Sequence, residues 1–162
     1  MYRFAKGFTL VEIMVVLAVI AILLTIALPS DGGRINRVRV EESLKLVEQY
    51  KAPIEFYYRS NQFFPASNQS ANLPQPHQIV GNYLAETQLI HGALHLRLGN
   101  KIGKNLQGKI VSLRPIFVPG VENAPISWIC GYDTVPNGMA AAGENLTDLD
   151  PQFLPLNCRQ RD

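Results

Sequence analysis

Lys6-Gly7-Phe8-Thr9-Leu10-Val11-Glu12 leads into an apolar run, from Phe8 to Leu28, in which Glu12 is the only charged residue. From Phe8 to Leu28 the run holds 21 residues. As a helix rising about 1.5 Å per residue it reaches roughly 32 Å, enough to cross a hydrocarbon core. A charge inside such a segment costs roughly 2.5–3.5 kcal/mol even on the most forgiving insertion scale, so Glu12 implies a partner. A secretory signal would have a shorter apolar region and a small-residue cleavage site after it, whereas this run ends at Leu28-Pro29-Ser30. A helix so uniformly apolar, preceded by Arg3 and Lys6, is also unusual as a buried helix of a soluble domain.

Beyond Pro29 about 130 residues remain, enough for one domain and not two. From Arg34 onward Val40, Leu44, Val47, Ile54 and Tyr58 recur at helical steps, while Glu41, Glu42, Lys45 and Glu48 lie mostly elsewhere. That stripe predicts an amphipathic helix laid on a domain. Pro29 and Pro53 each remove an amide donor and are expected to kink the helix. Gly32 and Gly33 each cost about 1 kcal/mol relative to alanine in a helix, so Ser30-Asp31-Gly32-Gly33 is expected to be unwound.

From Asn61 the chain becomes rich in Pro, Asn and Gln, predicting an irregular surface loop through Phe64-Pro65 and Leu73-Pro74-Gln75-Pro76. Two tripeptides, Asn68-Gln69-Ser70 and Asn145-Leu146-Thr147, fit a glycosylation sequon, but so short a pattern arises by chance and no sugar is assigned. Alternation and β-forming residues then mark strands at Ala93-Leu94-His95-Leu96-Arg97-Leu98, at Gly108-Lys109-Ile110-Val111-Ser112-Leu113-Arg114 and at Ile126-Ser127-Trp128-Ile129-Cys130. Three or four antiparallel strands are expected. Their aliphatic residues should face the helix, with His95, Arg97, Lys109 and Ser112 facing out.

The basic leader ending in Gly7, followed by Phe8-Thr9-Leu10-Val11-Glu12, the apolar helix and Pro29, resembles the type IV pilins and their pseudopilin relatives. The resemblance extends along nearly the whole chain, with Gly108-Lys109-Ile110-Val111-Ser112-Leu113, Trp128-Ile129-Cys130 and Leu154-Pro155-Leu156-Asn157-Cys158-Arg159 among its nearest matches. It implies an α+β fold: a long N-terminal helix, half membrane-spanning and half amphipathic, packed on a small antiparallel sheet with a disulfide-closed C-terminal loop. The implied segments are a leader at 1–7, a transmembrane and assembly helix at 8–29, an amphipathic helix at 30–60 and a globular head at 61–162.

In that family a prepilin peptidase cuts after the glycine and methylates the new N-terminus, which here implies cleavage between Gly7 and Phe8. The cationic amine of Phe8 then attracts Glu12 of a neighbouring chain in a medium of low dielectric. The resemblance implies a pilus subunit, held in the bacterial inner membrane before assembly and extracellular afterwards. Its partners would be other pilins, the peptidase and the inner-membrane assembly platform, and its filament would support adhesion, twitching motility or DNA uptake. A minor pilin that primes or tips the fibre, a type II secretion pseudopilin and a DNA-binding competence pilin are the alternatives. Major pilins often carry aromatic residues where this chain has Ser30-Asp31-Gly32-Gly33, which keeps the minor pilin open.

Cys130 and Cys158 are the only cysteines. An isolated pair in an exported domain is most simply a disulfide, and in this family the last two cysteines close the C-terminal loop. A metal site lacks further ligands at sensible spacing, and a catalytic cysteine lacks a nearby base.

The chain has 15 Lys and Arg against 13 Asp and Glu, and loss of Arg3 and Lys6 with the leader would leave it neutral. Neutrality argues against a general coat for nucleic acid and suits close packing of many copies. Charge is nonetheless uneven. Arg97, Lys101, Lys104, Lys109 and Arg114 lie between Glu86 and Glu122 with no acid among them, while residues 122–150 carry acids and no lysine or arginine. Ordinary solvated strand edges, contacts between successive subunits, or DNA phosphates on Arg97, Lys101, Lys104 and Lys109 are the three readings. DNA is the least favoured, because no aromatic residues interleave to stack bases. No nucleophile motif, phosphate-cradling loop, metal cluster or cofactor signature appears among the Ser, Asp, Gly and His residues, so no catalysis and no cofactor are expected.

Overall fold

The computed structural model describes residues 7–27, 32–121 and 124–160. The chain divides into two units, Met1–Asp31 and Gly32–Asp162. In the first, helix α1 runs from Leu10–Ala27 and is apolar on every side, with the side chains of residues 10–25 exposed. Pro29, with its expected kink, lies outside the described residues.

The second unit opens with helix α2 (Gly32–Val47) and a 3-10 turn at Glu48–Tyr50, followed by helix α3 (Lys51–Asn61). Of Ser30-Asp31-Gly32-Gly33, expected to be unwound, Ser30 and Asp31 lie outside the described residues, and Gly32 and Gly33 are helical instead. They form the first turn, whose amides lack intrahelical partners in any sequence, and three arginines and four β-branched residues follow in a helix held by tertiary packing. The tightening at Glu48–Tyr50 has a local cause. Pro53 has no N–H to offer the carbonyl of Gln49, and the chain uses i to i+3 bonding there instead, with Lys51 N–H on the Glu48 carbonyl.

Val40, Leu44, Val47 and Ile54 are buried along one side of these helices, and Tyr58 stacks on Phe64 with ring centroids 4.3 Å apart. The opposite wall is a five-stranded antiparallel sheet. Strands β1 (Leu84–Ile90), β2 (Ala93–Leu98), β3 (Ile110–Phe117) and β4 (Ser127–Cys130) neighbour one another in sequence order, and the short β5 (Ala140–Ala141) also pairs with β3. Leu84, Leu89, Leu94, Leu96, Leu98, Val111 and Leu113 join the helix residues in one core. The fold is α+β, with the helices on an antiparallel sheet.

Strand β1 escapes the sequence reading because Leu84-Ala85-Glu86-Thr87-Gln88-Leu89-Ile90 mixes polar and apolar residues without clean alternation. Its turn into β2 is a two-residue hairpin with φ of 47° at His91 and 89° at Gly92. Both left-handed positions match the twist of the flanking strands, and a Cβ at residue 92 would sit 2.7 Å from Phe64.

His95 and Ser112 do not face out as expected. Both are buried, His95 Nδ1 lies 2.9 Å from Ser112 Oγ, and the Ser112 hydroxyl also accepts the Leu146 N–H. The expectation assumed a sheet with one wet face. Residues 145–148 instead run beside β3, where Thr147 Oγ1 accepts the Ser112 N–H and Asp148 Oδ1 accepts the Ile110 N–H. With both faces covered, β2 is buried at five of six positions and its polar members must find partners inside.

The segment following α3 is likewise less superficial than its composition suggests. Asn68 is buried, its Nδ2 donating to the carbonyls of Pro74 and Thr87, while its Oδ1 accepts the Leu89 N–H at 2.7 Å. One side-chain amide thus imitates a partner strand along β1.

Candidate assembly site

The expected processing and assembly residues gather at the start of α1. Gly7, Phe8 and Thr9 precede the helix in non-helical backbone, and Phe8 is 83% exposed. A Cβ at Gly7 would meet nothing within 4 Å, so the Gly7-Phe8 peptide bond lies open.

Glu12 already has a partner in its own chain. Its Oε2 accepts the backbone N–H and the hydroxyl of Thr9, each at 2.9 Å, and the Glu12 N–H returns to Thr9 Oγ1 at 3.3 Å. Thr9 and Glu12 form a reciprocal capping box that satisfies two of the amides orphaned at a helix start. This role was missed in the sequence, although Thr9-Leu10-Val11-Glu12 carries the Ser/Thr-x-x-Glu signature in plain form. The carboxylate sits at the positive end of the helix dipole, which adds to its hold.

Among the described residues no helix is long and apolar enough to cross a membrane. The 18 residues of α1 reach about 27 Å, a little short of the roughly 30 Å hydrocarbon core. The longer run in the sequence counts Phe8 and Thr9, which are not helical, and Leu28, which lies outside the described residues.

At the far end of the chain, Cys130 and Cys158 form a disulfide across 28 positions. Gly131 permits the closure. It has φ of 58°, and a Cβ there would lie 2.5 Å from the Cys158 carbonyl, which accepts the Tyr132 N–H. Trp128 ties β4 to α3 through Nε1 on Glu55 Oε1 at 2.7 Å.

The four basic residues considered for DNA separate into two kinds. Arg97 pairs with Glu86 at 2.7 Å and Lys109 with Asp148 at 3.3 Å, so the acidic C-terminal stretch folds partly onto the basic strands. Lys101 and Lys104, in the turn after β2, have no ion pair among the described residues. Burial holds His95 below the ordinary histidine range, with Glu144 opposing the shift and Arg114 adding to it. Among the described residues no group of three or more His, Cys, Asp or Glu could hold a metal ion.

Two family patterns match the chain: the prokaryotic N-terminal methylation motif over residues 2–28, and the pilin of bacterial filaments over residues 37–159. The chain belongs to the type IV pilins. It is 34% identical to a type IV major pilin protein PilE1 of Neisseria gonorrhoeae over 95% of this chain and 87% of that one. It is 28% identical to a fimbrial protein of Neisseria meningitidis serogroup B over 95% and 94%, and 27% identical to the fimbrial protein EcpC of Eikenella corrodens over 95% and 90%. This pilin is therefore a structural and non-enzymatic filament subunit. The methylation motif encloses Gly7, Phe8 and Glu12, and the pilin match takes in the sheet, the disulfide and the helices from residue 37 onward.

Proposed function

We propose that this pilin is cut between Gly7 and Phe8, methylated on the new Phe8 amine, held in the inner membrane by its N-terminal helix, and then assembled through that helix into an extracellular pilus. The observation that carries the reading is α1 itself, whose surface is apolar all round and whose single carboxylate is retained by Thr9. A helix of that kind needs lipid or other apolar helices around it. Residues 8–29 serve as the anchor and assembly element, 30–60 as the amphipathic support and 61–162 as the head.

Cleavage gives Glu12 a second possible partner. The cationic amine of a neighbouring Phe8 competes with Thr9 for the carboxylate, and to a hydrogen bond it adds the attraction of a full opposite charge, which the neutral N–H and hydroxyl of Thr9 lack. Assembly is then an exchange of partners at Glu12 that selects one axial offset between subunits. Peptidase and assembly platform act on the open Gly7-Phe8 segment and the anchored helix. The filament serves adhesion, twitching motility or DNA uptake. The printed names of the Neisseria gonorrhoeae relatives support a major subunit.

Mass spectrometry of fibres sheared from cells carrying the wild-type chain or Glu12→Ala tests this. The wild type should yield abundant protein beginning at methylated Phe8, and the variant should be cut normally yet be absent from the sheared fraction. Uncut chain confined to the membrane, or normal fibres from Glu12→Ala, would sink the reading.

A further inference from the structure

The first turns of α2 carry Arg34, Arg37 and Arg39 within six residues, with no acid between Gly32 and Val40. None of the three forms an ion pair among the described residues, and neither does Arg159. Arg37 and Arg159 instead converge. Each places Nη2 3.1 Å from the same acceptor, the Gln152 carbonyl, which sets the two cationic nitrogens no more than about 6 Å apart. Arg37 Nε is buried and has no hydrogen-bond partner. One neutral carbonyl between two guanidinium groups leaves their charges uncompensated, and an anion completes the arrangement.

Of the nearby acids, Glu41 pairs with Lys45 at 2.9 Å, Glu42 accepts from Asn82 and Asp150 accepts the backbone N–H and the side-chain amide of Gln152, and none of the three forms an ion pair with Arg37 or Arg159 among the described residues. On the same helix Ile35 is 49% and Val38 63% exposed, one turn apart. Arg39 packs its guanidinium over Tyr83, 5.3 Å from the ring centroid, and Arg34 is exposed without a partner among the described residues. Arginines interleaved with bare aliphatic side chains suit a boundary between headgroups and acyl chains, where the aliphatic parts dip and the guanidinium groups stay with phosphate.

We propose that this basic end of the head is a seat for acidic phospholipid headgroups, the Arg37 and Arg159 pair taking the phosphodiester and Arg34 the surrounding negative surface. The seat rests on the membrane-held stage proposed above. Chain connectivity favours lipid over a distant protein surface, because only residues 28–31 lie between α1 and α2 in the sequence. A planar guanidinium matches two phosphate oxygens at once. Each arginine near an anionic surface contributes about a fivefold preference at moderate salt.

The test uses the full chain in nanodiscs made from equal parts phosphatidylcholine and phosphatidylglycerol, released in a native mass spectrometer so that retained lipids are weighed. The wild type should keep phosphatidylglycerol over phosphatidylcholine at about fivefold or more above the bulk ratio. Arg37→Gln with Arg159→Gln should lose most of that excess and keep only what Arg34 contributes. Arg34→Gln changes only an exposed, unpartnered side chain and should lose part of the preference without disturbing the fold.

A wild-type ratio equal to bulk overturns the seat, and an unchanged ratio in the double variant overturns its assignment to these arginines. A wild-type lipid ratio equal to bulk together with fibres lost in the double variant would overturn it in favour of a carboxylate on a neighbouring subunit. Failure of the chain to enter nanodiscs at all would instead overturn the membrane stage, and the seat with it.

Discussion

Replacing Asn68 by alanine removes three hydrogen bonds at a site only 4% exposed: the donors to the Pro74 and Thr87 carbonyls at 2.9 and 3.2 Å, and the acceptor of the Leu89 N–H at 2.7 Å. At about 1 kcal/mol net for each bond the loss is about 3 kcal/mol, and more if the stranded Leu89 N–H stays dry. For a unit of about 130 residues, an unfolding entropy near 2.1 cal/mol/K per residue turns that into a fall in Tm of roughly 10 °C. The measurement is thermal unfolding of the detergent-solubilised full chain, followed by near-ultraviolet circular dichroism of its aromatic residues. Asn68→Asp sharpens the test. A carboxylate keeps the bond from Leu89 but turns an oxygen toward two carbonyl oxygens, so at neutral pH it should be less stable than Asn68→Ala and should recover as acid protonates it. Ser70→Ala, at an exposed member of the same tripeptide, should shift little. A loss below about 1 kcal/mol in Asn68→Ala, or a milder effect in Asn68→Asp, would refute the reasoning.

Replacing Cys130 and Cys158 together by alanine should cost about 3.5 kcal/mol in urea unfolding, from the 28-position closure, and the wild type under reductant should approach the same midpoint. His95 is held below its ordinary value in the folded chain, so the unfolded state binds more protons between the folded value and about 6.5. Its contribution is therefore present above that window and lost as pH falls through it. Urea midpoints should decline on acidification, and His95→Gln should flatten that decline. Ile54→Ala, at a fully buried position on α3, should lower stability by about 2–5 kcal/mol in the same urea assay.

The stripe from Val40 to Ile54 was legible because period and burial agree, and the strands from Ala93 and around Val111 because β-forming residues alternate there. The cysteine pair was legible through its isolation and through the resemblance. Asn68 was not, since an asparagine in a polar loop looks the same whether it faces water or a strand. Its burial depends on β1, twenty positions further on, which carried no clear signal of its own. The inward turn of His95 and Ser112 was hidden for a related reason. Alternation tells which residues share a face, and nothing local says that residues 145–148 cover the second face. At Glu12 the charge stands out and the cap does not, because a lone carboxylate in an apolar run points to a partner in another chain while one stands three residues away.

The single amide that imitates a strand along β1 has a consequence for crowding. Subunits held side by side in a fibre meet at effective concentrations that reach the millimolar range, far above those at which bare sheet edges begin to join. Asn68 occupies the Thr87 carbonyl and the Leu89 N–H, two of the groups to which an incoming chain would zip. With that decoy in place the heads can be crowded without knitting into one another. A variant lacking the decoy would carry a second, sideways mode of association, and it would show itself as bundled or branched material in proportion to how tightly the subunits are already packed.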